Sequence, residues 1–252
     1  MRQLVVSDFH LDPTEPERYR AATASLNRCH CDQLILAGDI FEAWVGDDNA
    51  SPLDKEFLDF CGDFGADTQF IPGNRDFLIS GEYLAQRGIR LVQMVAESQL
   101  IVIHGDELCV LDHRYQAFKQ EVRDTAWIAK FLEKPLGERQ QIGQELRQAS
   151  RETQANRAEA IGDAVDSEVN DWMNRFETQL LVHGHTHRPA IHSTRYGLRA
   201  VSSDWGDSGI GVLIEHQGEQ QAVSLIHLSP TAMTEKEQWS RQIGNPEWKR
   251  NS

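Results

Sequence analysis

Side chains that can bind a metal follow short apolar runs at five places in the chain. The five segments are Ser7-Asp8-Phe9-His10, Ala37-Gly38-Asp39, Pro72-Gly73-Asn74-Arg75-Asp76, His104-Gly105-Asp106 and His183-Gly184-His185-Thr186-His187. Carboxylate, imidazole and amide groups together suit Mn²⁺, Fe²⁺ or Zn²⁺, whereas a set made only of oxygen atoms would favour Mg²⁺ or Ca²⁺. Seven candidate ligands are too many for one ion and about right for two; they are Asp8, His10, Asp39, Asn74, His104, His185 and His187.

Each segment taken alone has an ordinary explanation. An aspartate after a strand is more often a helix N-cap than a metal ligand, and a lone histidine more often has a structural hydrogen bond. Gly38, Gly73, Gly105 and Gly184 could be turn residues. The repetition of strand, small residue and ligand type at all five places favours a shared site.

The apolar runs that precede these segments indicate buried strands. Helix-length polar segments lie between the early runs, at 16–28, 52–65 and 81–87, and further strand-like runs follow at 200–203, 210–215 and 222–227. This order predicts a layered α/β or α+β sandwich. Ligands bind at the carboxyl ends of strands in open α/β sheets, so we expect the five segments to converge there. Two pairs are spaced i, i+2 and should point the same way in an extended chain: Asp8 with His10, and His185 with His187.

Residues 113–177 interrupt the alternation of strands and helices. They contain no strand-like run and are rich in Arg, Glu, Gln and Ala, so they predict helices inserted between two strands as a lid. Within them, an apolar patch from Trp127 to Leu136 could be ordinary core packing. We therefore predict one domain over 1–230 that includes this lid, followed by a weakly ordered polar tail over 231–252.

Composition restricts the partners and the compartment. The chain of 252 residues has 25 Lys+Arg against 39 Asp+Glu, a net charge of −14, which argues against nucleic acid as a partner. Its four cysteines are too few for a disulfide framework, so a reducing compartment is favoured. We expect no signal peptide and no membrane-spanning run, which predicts a cytoplasmic location.

The order of the motifs, DxH, GD, GNRD, HGD and GHTH, resembles the calcineurin-like metallophosphoesterases. The blocks Gly38 to Asp48, Gly73 to Leu78 and His183 to Pro189 are also similar to the narrower UDP-2,3-diacylglucosamine hydrolase family of lipid A synthesis. The resemblance covers about residues 1–230. It implies an αββα sandwich that holds two divalent metals, usually Mn²⁺.

The resemblance also implies how the candidate ligands divide. Asp8, His10 and His187 would hold one metal, Asn74, His104 and His185 the other, and Asp39 would bridge them. The expected reaction is hydrolysis of UDP-2,3-diacylglucosamine to UMP and 2,3-diacylglucosamine 1-phosphate, with water attacking the α-phosphorus. The metals would polarise the phosphoryl oxygens and activate the water.

Arg75 stands where many members of the broad superfamily have a histidine able to protonate an alkoxide leaving group. Arginine does not lose its proton at biological pH, but it binds phosphate oxygens with two hydrogen bonds. The residue therefore favours a phosphate leaving group, as in a pyrophosphate bond, and we predict a catalytic role for it. The resemblance implies that substrate contacts come from Asn74, Arg75, Asp112, Ser150, Gln154, Arg157 and His185.

A lipid substrate predicts that the apolar patch of the lid lines an acyl-chain cavity and that the lid meets the inner-membrane surface. Residues 113–157 contain nine Lys+Arg and six Asp+Glu, a local charge of +3, which suits an anionic surface. We expect peripheral membrane association and favour a monomer. The polar residues of the lid favour an alternative, a paralogue with the same centre that acts on another nucleotide diphosphate or phosphodiester. A non-catalytic scaffold would be expected to have lost ligands.

Overall fold

The computed structural model describes residues 1–97, 99–155, 159–203, 205–245 and 247–251, without the side chains of residues 150–155, 159 and 160. The strands are β1 (Arg2–Val6), β2 (Gln33–Leu36), β3 (Asp67–Phe70), β4 (Arg90–Leu91), β5 (Val95–Glu97), β6 (Leu100–Val102), β7 (Leu180–His183), β8 (Ile191–Ser193), β9 (Leu198–Val201), β10 (Gly209–Gln217), β11 (Gln220–Leu228), β12 (Met233–Gln242) and β13 (Lys249–Arg250). The α-helices are α1 (Pro16–Leu26), α2 (Pro52–Gly62), α3 (Gly81–Ala85), α4 (His113–Val122), α5 (Thr125–Leu132), α6 (Leu136–Ala155) and α7 (Asp166–Arg175).

The strands form two sheets. The first has the order β13-β12-β11-β10-β1-β2-β3-β4, and the second has the order β5-β6-β7-β9-β8. Strands β1 to β4 pair in parallel, as do β6, β7 and β9, whereas the strands after β9 add antiparallel hairpins to the first sheet. The carboxyl ends of the parallel strands are therefore available in both sheets to present the polar segments.

Successive side chains along each strand point to opposite faces of the sheet, and this alternation builds the layers of the sandwich. Leu4 and Val6 pack with helices α1 and α2, whereas Val5 between them packs with Val102 and Val182 of the second sheet. On the far face of the second sheet, a third cluster joins its strands to α7. Because successive side chains point to opposite faces of a strand, the two faces of each sheet pack into two different cores. The result is the αββα sandwich expected from the sequence.

The helices expected at 16–28, 52–65 and 81–87 are confirmed, with ends a few residues shorter. Proline occupies the first turn of both α1 and α2, where its missing N–H costs nothing. Ser51 caps α2, accepting a hydrogen bond from the Asp54 N–H at 3.1 Å while the Asp54 carboxylate accepts one from the Ser51 N–H at 2.8 Å. This reciprocal capping box fixes where the helix begins.

The described part of 113–177 contains helices α4 to α7, as predicted, but α7 packs in a different cluster from α5 and α6. Helix α7 packs against the second sheet through Val169 and Met173 and so belongs to the outer layer of the sandwich. We keep the name lid for helices α4 to α6. Phe131 is buried in the first core, and Trp127 packs against that core with half-buried neighbours in α5 and α6. Ordinary core packing therefore accounts for much of the apolar patch, although Leu132 remains 40% exposed.

The expectation of a weakly ordered tail over 231–252 is wrong. Strand β12 pairs with β11 along its length, apart from a register shift between Leu225 and Ile226, and β13 pairs with β12. Trp239 on β12 packs against the core between the sheets. The strand lacks a regular apolar alternation because five of its ten side chains are exposed and four are partly exposed near the sheet edge. In the part of the chain that the structure describes, none of the helices combines the length and apolar character needed to cross a membrane.

Candidate metal centre

The five polar segments meet at the carboxyl ends of β1, β2, β3, β6 and β7. Backbone hydrogen bonds hold neighbouring segments together: the Asp8 N–H donates to the Gly38 carbonyl at 2.9 Å, and the His10 N–H donates to the Asp39 carbonyl at 3.0 Å. The two sheets are joined at the same place, because the His185 N–H donates to Asp8 Oδ2 at 3.0 Å. The convergence predicted from the sequence is confirmed.

One group of ligand atoms comes from β1 and β7. Asp8, His10 and His187 place one ligand atom each within 4.8 Å of the others. The Nε2 atoms of His10 and His187 are 3.3 Å apart, and His187 Nε2 is 3.5 Å from Asp8 Oδ1. These three residues are thus in position to share one ion.

A second group lies beside the first. The Asn74 Oδ1 atom is 3.1 Å from His104 Nε2 and 3.0 Å from His185 Nδ1, and these two ring nitrogens are 3.2 Å apart. Asp39 lies between the groups, since Asp8, Asp39 and His104 also place ligand atoms within 4.8 Å of one another. All seven candidates are therefore brought together.

The backbone of five candidates differs from the expectation. Asp8 and His10 have φ of 55° and 48°, and His185 and His187 have φ of 62° and 53°, so neither pair lies in extended chain. Asp39 also has a left-handed φ, of 53°. Left-handed backbone is unfavourable for residues other than glycine and clusters at functional sites. The side chains of each pair do reach the same place, but through this conformation rather than through strand geometry.

Two glycines allow the loops to approach. A Cβ atom on Gly184 would lie 2.1 Å from Ser7 Oγ and 2.3 Å from Asp8 Oδ2. A Cβ atom on Gly73 would lie 2.2 Å from Asp39 Oδ1. These positions require glycine for close contact with ligand-bearing segments, which is a stricter demand than that of an ordinary turn.

Burial and mutual contact displace the titrations of these groups. Burial opposes ionisation of Asp8, but the hydrogen bond from His187 and the neighbouring histidine charges hold its pKa well below the usual range. For His104, the charges of Asp39, Asp106 and Asp8 outweigh burial and raise the pKa to about 9. Burial and the His104 charge lower the pKa of His185 to about 4. The two adjacent imidazoles therefore carry one positive charge in preference to two.

The donor set fits divalent cations. Two pairs of imidazole nitrogens face each other at 3.2 and 3.3 Å, with carboxylate and amide oxygens beside them. An N–H between two such nitrogens satisfies the lone pair of one of them, whereas a cation between the groups would accept lone pairs from both. The mixture of nitrogen and oxygen donors suits a transition-metal ion.

Comparison with known proteins agrees with this geometry. The family model described as calcineurin-like phosphoesterase matches residues 1–189. The chain belongs to the calcineurin-like phosphoesterases. Within them, it is 37% identical over 239 residues to a UDP-2,3-diacylglucosamine hydrolase of Stenotrophomonas maltophilia, covering 86% of this chain and 96% of that protein. Proteins with the same name from Hahella chejuensis and Chromohalobacter salexigens are 37% and 35% identical, over 82% and 81% of this chain and 91% and 89% of theirs. The chain therefore belongs to the UDP-2,3-diacylglucosamine hydrolase family.

Asp76 organises the loops of the phosphoesterase through their backbone. Its carboxylate is fully buried and accepts hydrogen bonds from the Gly73 N–H at 2.8 Å and the Ile40 N–H at 2.7 Å. Burial and the nearby Asp39 carboxylate raise its pKa to about 6. Asp76 thus joins the segment that bears Asp39 to the segment that bears Asn74.

Asp106 connects the phosphoesterase centre to the lid. Its buried carboxylate accepts a short hydrogen bond from Tyr115 and lies 3.0 Å from Lys119 Nζ, both in α4. Arg123, just after α4, donates from Nη2 to the Gly73 carbonyl at 2.9 Å. The lid is therefore attached to the loop that bears Asn74 and Arg75.

Arg75 lies at the rim of the centre. Its backbone N–H donates to Asp39 Oδ1 at 2.8 Å, and its side chain is 13% exposed. Its Nε atom is buried and has no hydrogen-bond partner among the described residues. Next to it lies Glu42, which sequence reasoning missed although Glu42 stands in the Gly38 to Asp48 block.

The structure describes only some of the residues that we expect to contact the substrate from the lid. Asp112 is buried at the start of α4, where its Oδ1 accepts a hydrogen bond from the Tyr115 N–H at 3.1 Å. Ser150 and Gln154 lie in α6, but their side chains are outside the described residues, and Arg157 is wholly outside them. The carboxylate of Asp112 thus has a structural partner within the helix that it caps.

Proposed function

We propose that this phosphoesterase hydrolyses the pyrophosphate bond of UDP-2,3-diacylglucosamine, giving UMP and 2,3-diacylglucosamine 1-phosphate in lipid A biosynthesis. The observation that carries the proposal is the 35–37% identity to hydrolases named for this substrate, over most of both chains. The site geometry supports the chemistry, because two groups of metal-binding atoms lie beside an arginine suited to phosphate.

In this proposal, seven side chains hold two divalent ions. Asp8, His10 and His187 hold one, and Asn74, His104 and His185 hold the other, with Asp39 shared. The distances of 3.0 to 3.5 Å within each group support this division. We propose Mn²⁺ as the metal, since nitrogen and oxygen donors occur together.

When bound, the ions would polarise the phosphoryl oxygens and lower the pKa of water for attack on the α-phosphorus. The protein orients the substrate and stabilises charge. Arg75 donates hydrogen bonds to the phosphate oxygens and neutralises charge as the bond to the leaving phosphate breaks. Because the leaving phosphate departs without protonation, no side chain has to donate a proton to it.

The remaining substrate contacts are proposed at the mouth of the centre. Asn74 and His185 take part in binding as well as metal ligation, and Asp112, Ser150, Gln154 and Arg157 contact the substrate from the lid side. The ion pair of Lys119 with Asp106 and the hydrogen bond from Arg123 to the Gly73 carbonyl support this arrangement, because they hold the lid against the metal centre.

We further propose that the lid brings the protein, as a cytoplasmic monomer, to the inner-membrane surface. Phe118, Leu132 and Leu146 in the lid are 36%, 40% and 40% exposed, within the segment 113–157 that has a charge of +3. Apolar and basic side chains together favour an anionic lipid surface. Flotation with vesicles containing anionic lipid should retain the protein, and vesicles of neutral lipid should retain less; equal recovery would contradict this part of the proposal.

One assay tests the reaction. Metal-stripped protein is incubated with UDP-2,3-diacylglucosamine and Mn²⁺ in ¹⁸O-water, and the products are analysed by mass spectrometry. Label is expected in UMP, because water attacks the α-phosphorus. Label in the sugar phosphate would disprove the position of attack, and turnover of another nucleotide diphosphate or diester without UMP formation from this substrate would favour the paralogue.

A further inference from the structure

Glu42 is a buried carboxylate in the loop after β2, three residues beyond Asp39. Its side chain is only 12% exposed. Its backbone N–H donates to the Leu11 carbonyl at 2.9 Å, and the Leu11 N–H donates to the Ile40 carbonyl at 2.9 Å. The backbone of Glu42 is thus held beside the segment that follows β1, where Asp8 and His10 lie.

One carboxylate oxygen faces a proposed metal ligand. Glu42 Oε2 is 3.2 Å from His10 Nδ1, while the opposite ring nitrogen of His10 is 3.3 Å from His187 Nε2. The separation is that of an ion pair, and His10 Nδ1 makes no hydrogen bond among the described residues. A carboxylate this close favours the proton on Nδ1, which leaves the Nε2 lone pair directed toward the metal centre.

The other carboxylate oxygen lies near two arginines. Glu42 Oε1 is 3.9 Å from Nη1 of Arg75 and 3.6 Å from Nη1 of Arg147, which belongs to α6 of the lid. Arg147 Nη1 is also 3.8 Å from Asp12 Oδ2. One carboxylate thus contacts a metal ligand and lies within ion-pair distance of the proposed phosphate-binding arginine and of the lid.

An ordinary surface ion pair would not have this arrangement. Exposed pairs contribute little and involve two groups that remain solvated. Glu42 is largely buried, and its partners among the described residues include His10, Arg75 and Arg147, which come from three separate parts of the chain. The placement is that of a group that orients functional side chains.

We infer that Glu42 is a positioning residue, which orients His10 for metal binding and draws Arg75 and the lid helix α6 to the same edge of the centre. The part that concerns Arg75 rests on the proposed function, whereas the part that concerns His10 depends only on metal binding.

The first test measures Mn²⁺ affinity by calorimetric titration of metal-stripped wild type and Glu42→Gln. Glutamine keeps the shape but not the charge, and affinity for one ion should fall ~10- to 100-fold, the usual effect of losing a carboxylate behind a histidine ligand. Glu215→Gln is the matched control, because Glu215 is also partly buried and paired with an arginine, Arg2, at the other end of β1. The control should bind both ions as the wild type does.

The second test distinguishes the effect of Glu42 on His10 from its effect on Arg75 and the lid. Arg147→Gln should keep wild-type Mn²⁺ affinity but raise KM, because it loosens the lid without touching His10. Glu42→Gln should lower kcat about 10-fold or more even at saturating Mn²⁺, since Arg75 also loses its neighbour. If Glu42→Gln gives too little folded protein, Glu42→Asp replaces it, since a shorter carboxylate retreats from His10 and should show an intermediate Mn²⁺ affinity.

Wild-type Mn²⁺ affinity in a folded Glu42→Gln or Glu42→Asp protein would overturn the inference. Equal loss of affinity in Glu215→Gln would also overturn it, because the effect would then be one of general stability. If wild-type protein forms no UMP from UDP-2,3-diacylglucosamine, the proposed function fails, yet the titration still decides the role of Glu42 toward His10.

Discussion

At the scale of single residues, our proposal makes Arg75 the residue that determines which leaving groups the centre can serve. Its guanidinium stays charged, and its buried Nε atom has no hydrogen-bond partner among the described residues. Replacing it by histidine or lysine removes the bidentate hydrogen bonding to phosphate, so kcat for pyrophosphate cleavage should fall ~10²- to 10³-fold. Steady-state kinetics of Arg75→His and Arg75→Lys provide the measurement.

Arg90→Gln is the control for this prediction, since Arg90 pairs with Asp67 at an exposed position away from the centre. It should retain wild-type kinetics. Unchanged cleavage of the diphosphate by Arg75→His would show that the charged clamp is not needed.

The candidate metal ligands were the most predictable part of the site. All seven candidates could be named from the sequence, because each stands at the end of an apolar run and is of a type that binds metals. Glu42 could not, because a lone glutamate beyond the ligand motif has no local signal. Its role depends on contacts with His10 and Arg147, which are distant in sequence. The left-handed backbone of Asp8 and His10 could not be predicted from the sequence either, since it arises from tertiary contacts among the loops.

At the scale of secondary-structure elements, Arg139 fixes the lid helix α6 to the loop after β2. Its side chain is 4% exposed and donates from Nη1 to the Val45 carbonyl at 2.6 Å and to Asp48 Oδ1 at 2.9 Å. Arg139→Met removes these bonds and leaves the Val45 carbonyl without that donor, so the free energy of unfolding should fall by about 2 kcal/mol. Urea denaturation and amide exchange along α6 measure the effect.

Lys134→Met serves as the control, because among the described residues the Lys134 side chain pairs with exposed Glu138 in the same segment. It should change the unfolding free energy by less than about 0.5 kcal/mol. Equal loss in both variants, or unchanged exchange in α6 of Arg139→Met, would contradict the anchoring role.

The strand after residue 231 shows where element prediction fails. Strands β1, β2, β3, β6 and β7 were predictable because their apolar runs end in ligands. Strand β12 was not, because it is polar and exposed and is stabilised by pairing with β11, as well as by Trp239. The assignment of α7 to the outer layer was likewise hidden, since its apolar positions look like those of the lid.

Truncation after Pro230 tests the importance of β12. Removing residues 231–252 leaves β11 as an unpaired edge and uncovers the core beneath Trp239. The melting temperature should fall by several degrees, and the truncated protein should aggregate more readily, because an exposed edge strand can pair with other chains. A Trp239→Ala variant isolates the packing part and should lose less than the truncation does. An unchanged melting temperature after truncation would favour the weakly ordered tail.

At the scale of the whole molecule, the metal centre links charge to stability. Two ions of charge +2 would reduce the net charge from −14 to −10 and would bind the folded chain, where the ligand atoms converge, but not the unfolded chain. Free Mn²⁺ at about 100 times its dissociation constant should therefore stabilise the fold by about 2.7 kcal/mol per site.

Chelation should lower the melting temperature, and added Mn²⁺ should restore it. His187→Ala should lose much of this Mn²⁺-dependent increment, whereas His30→Ala, at an exposed position away from the ligand groups, should keep it. A melting temperature that does not respond to chelation or to Mn²⁺ would mean that the clustered side chains hold no ion in the folded protein.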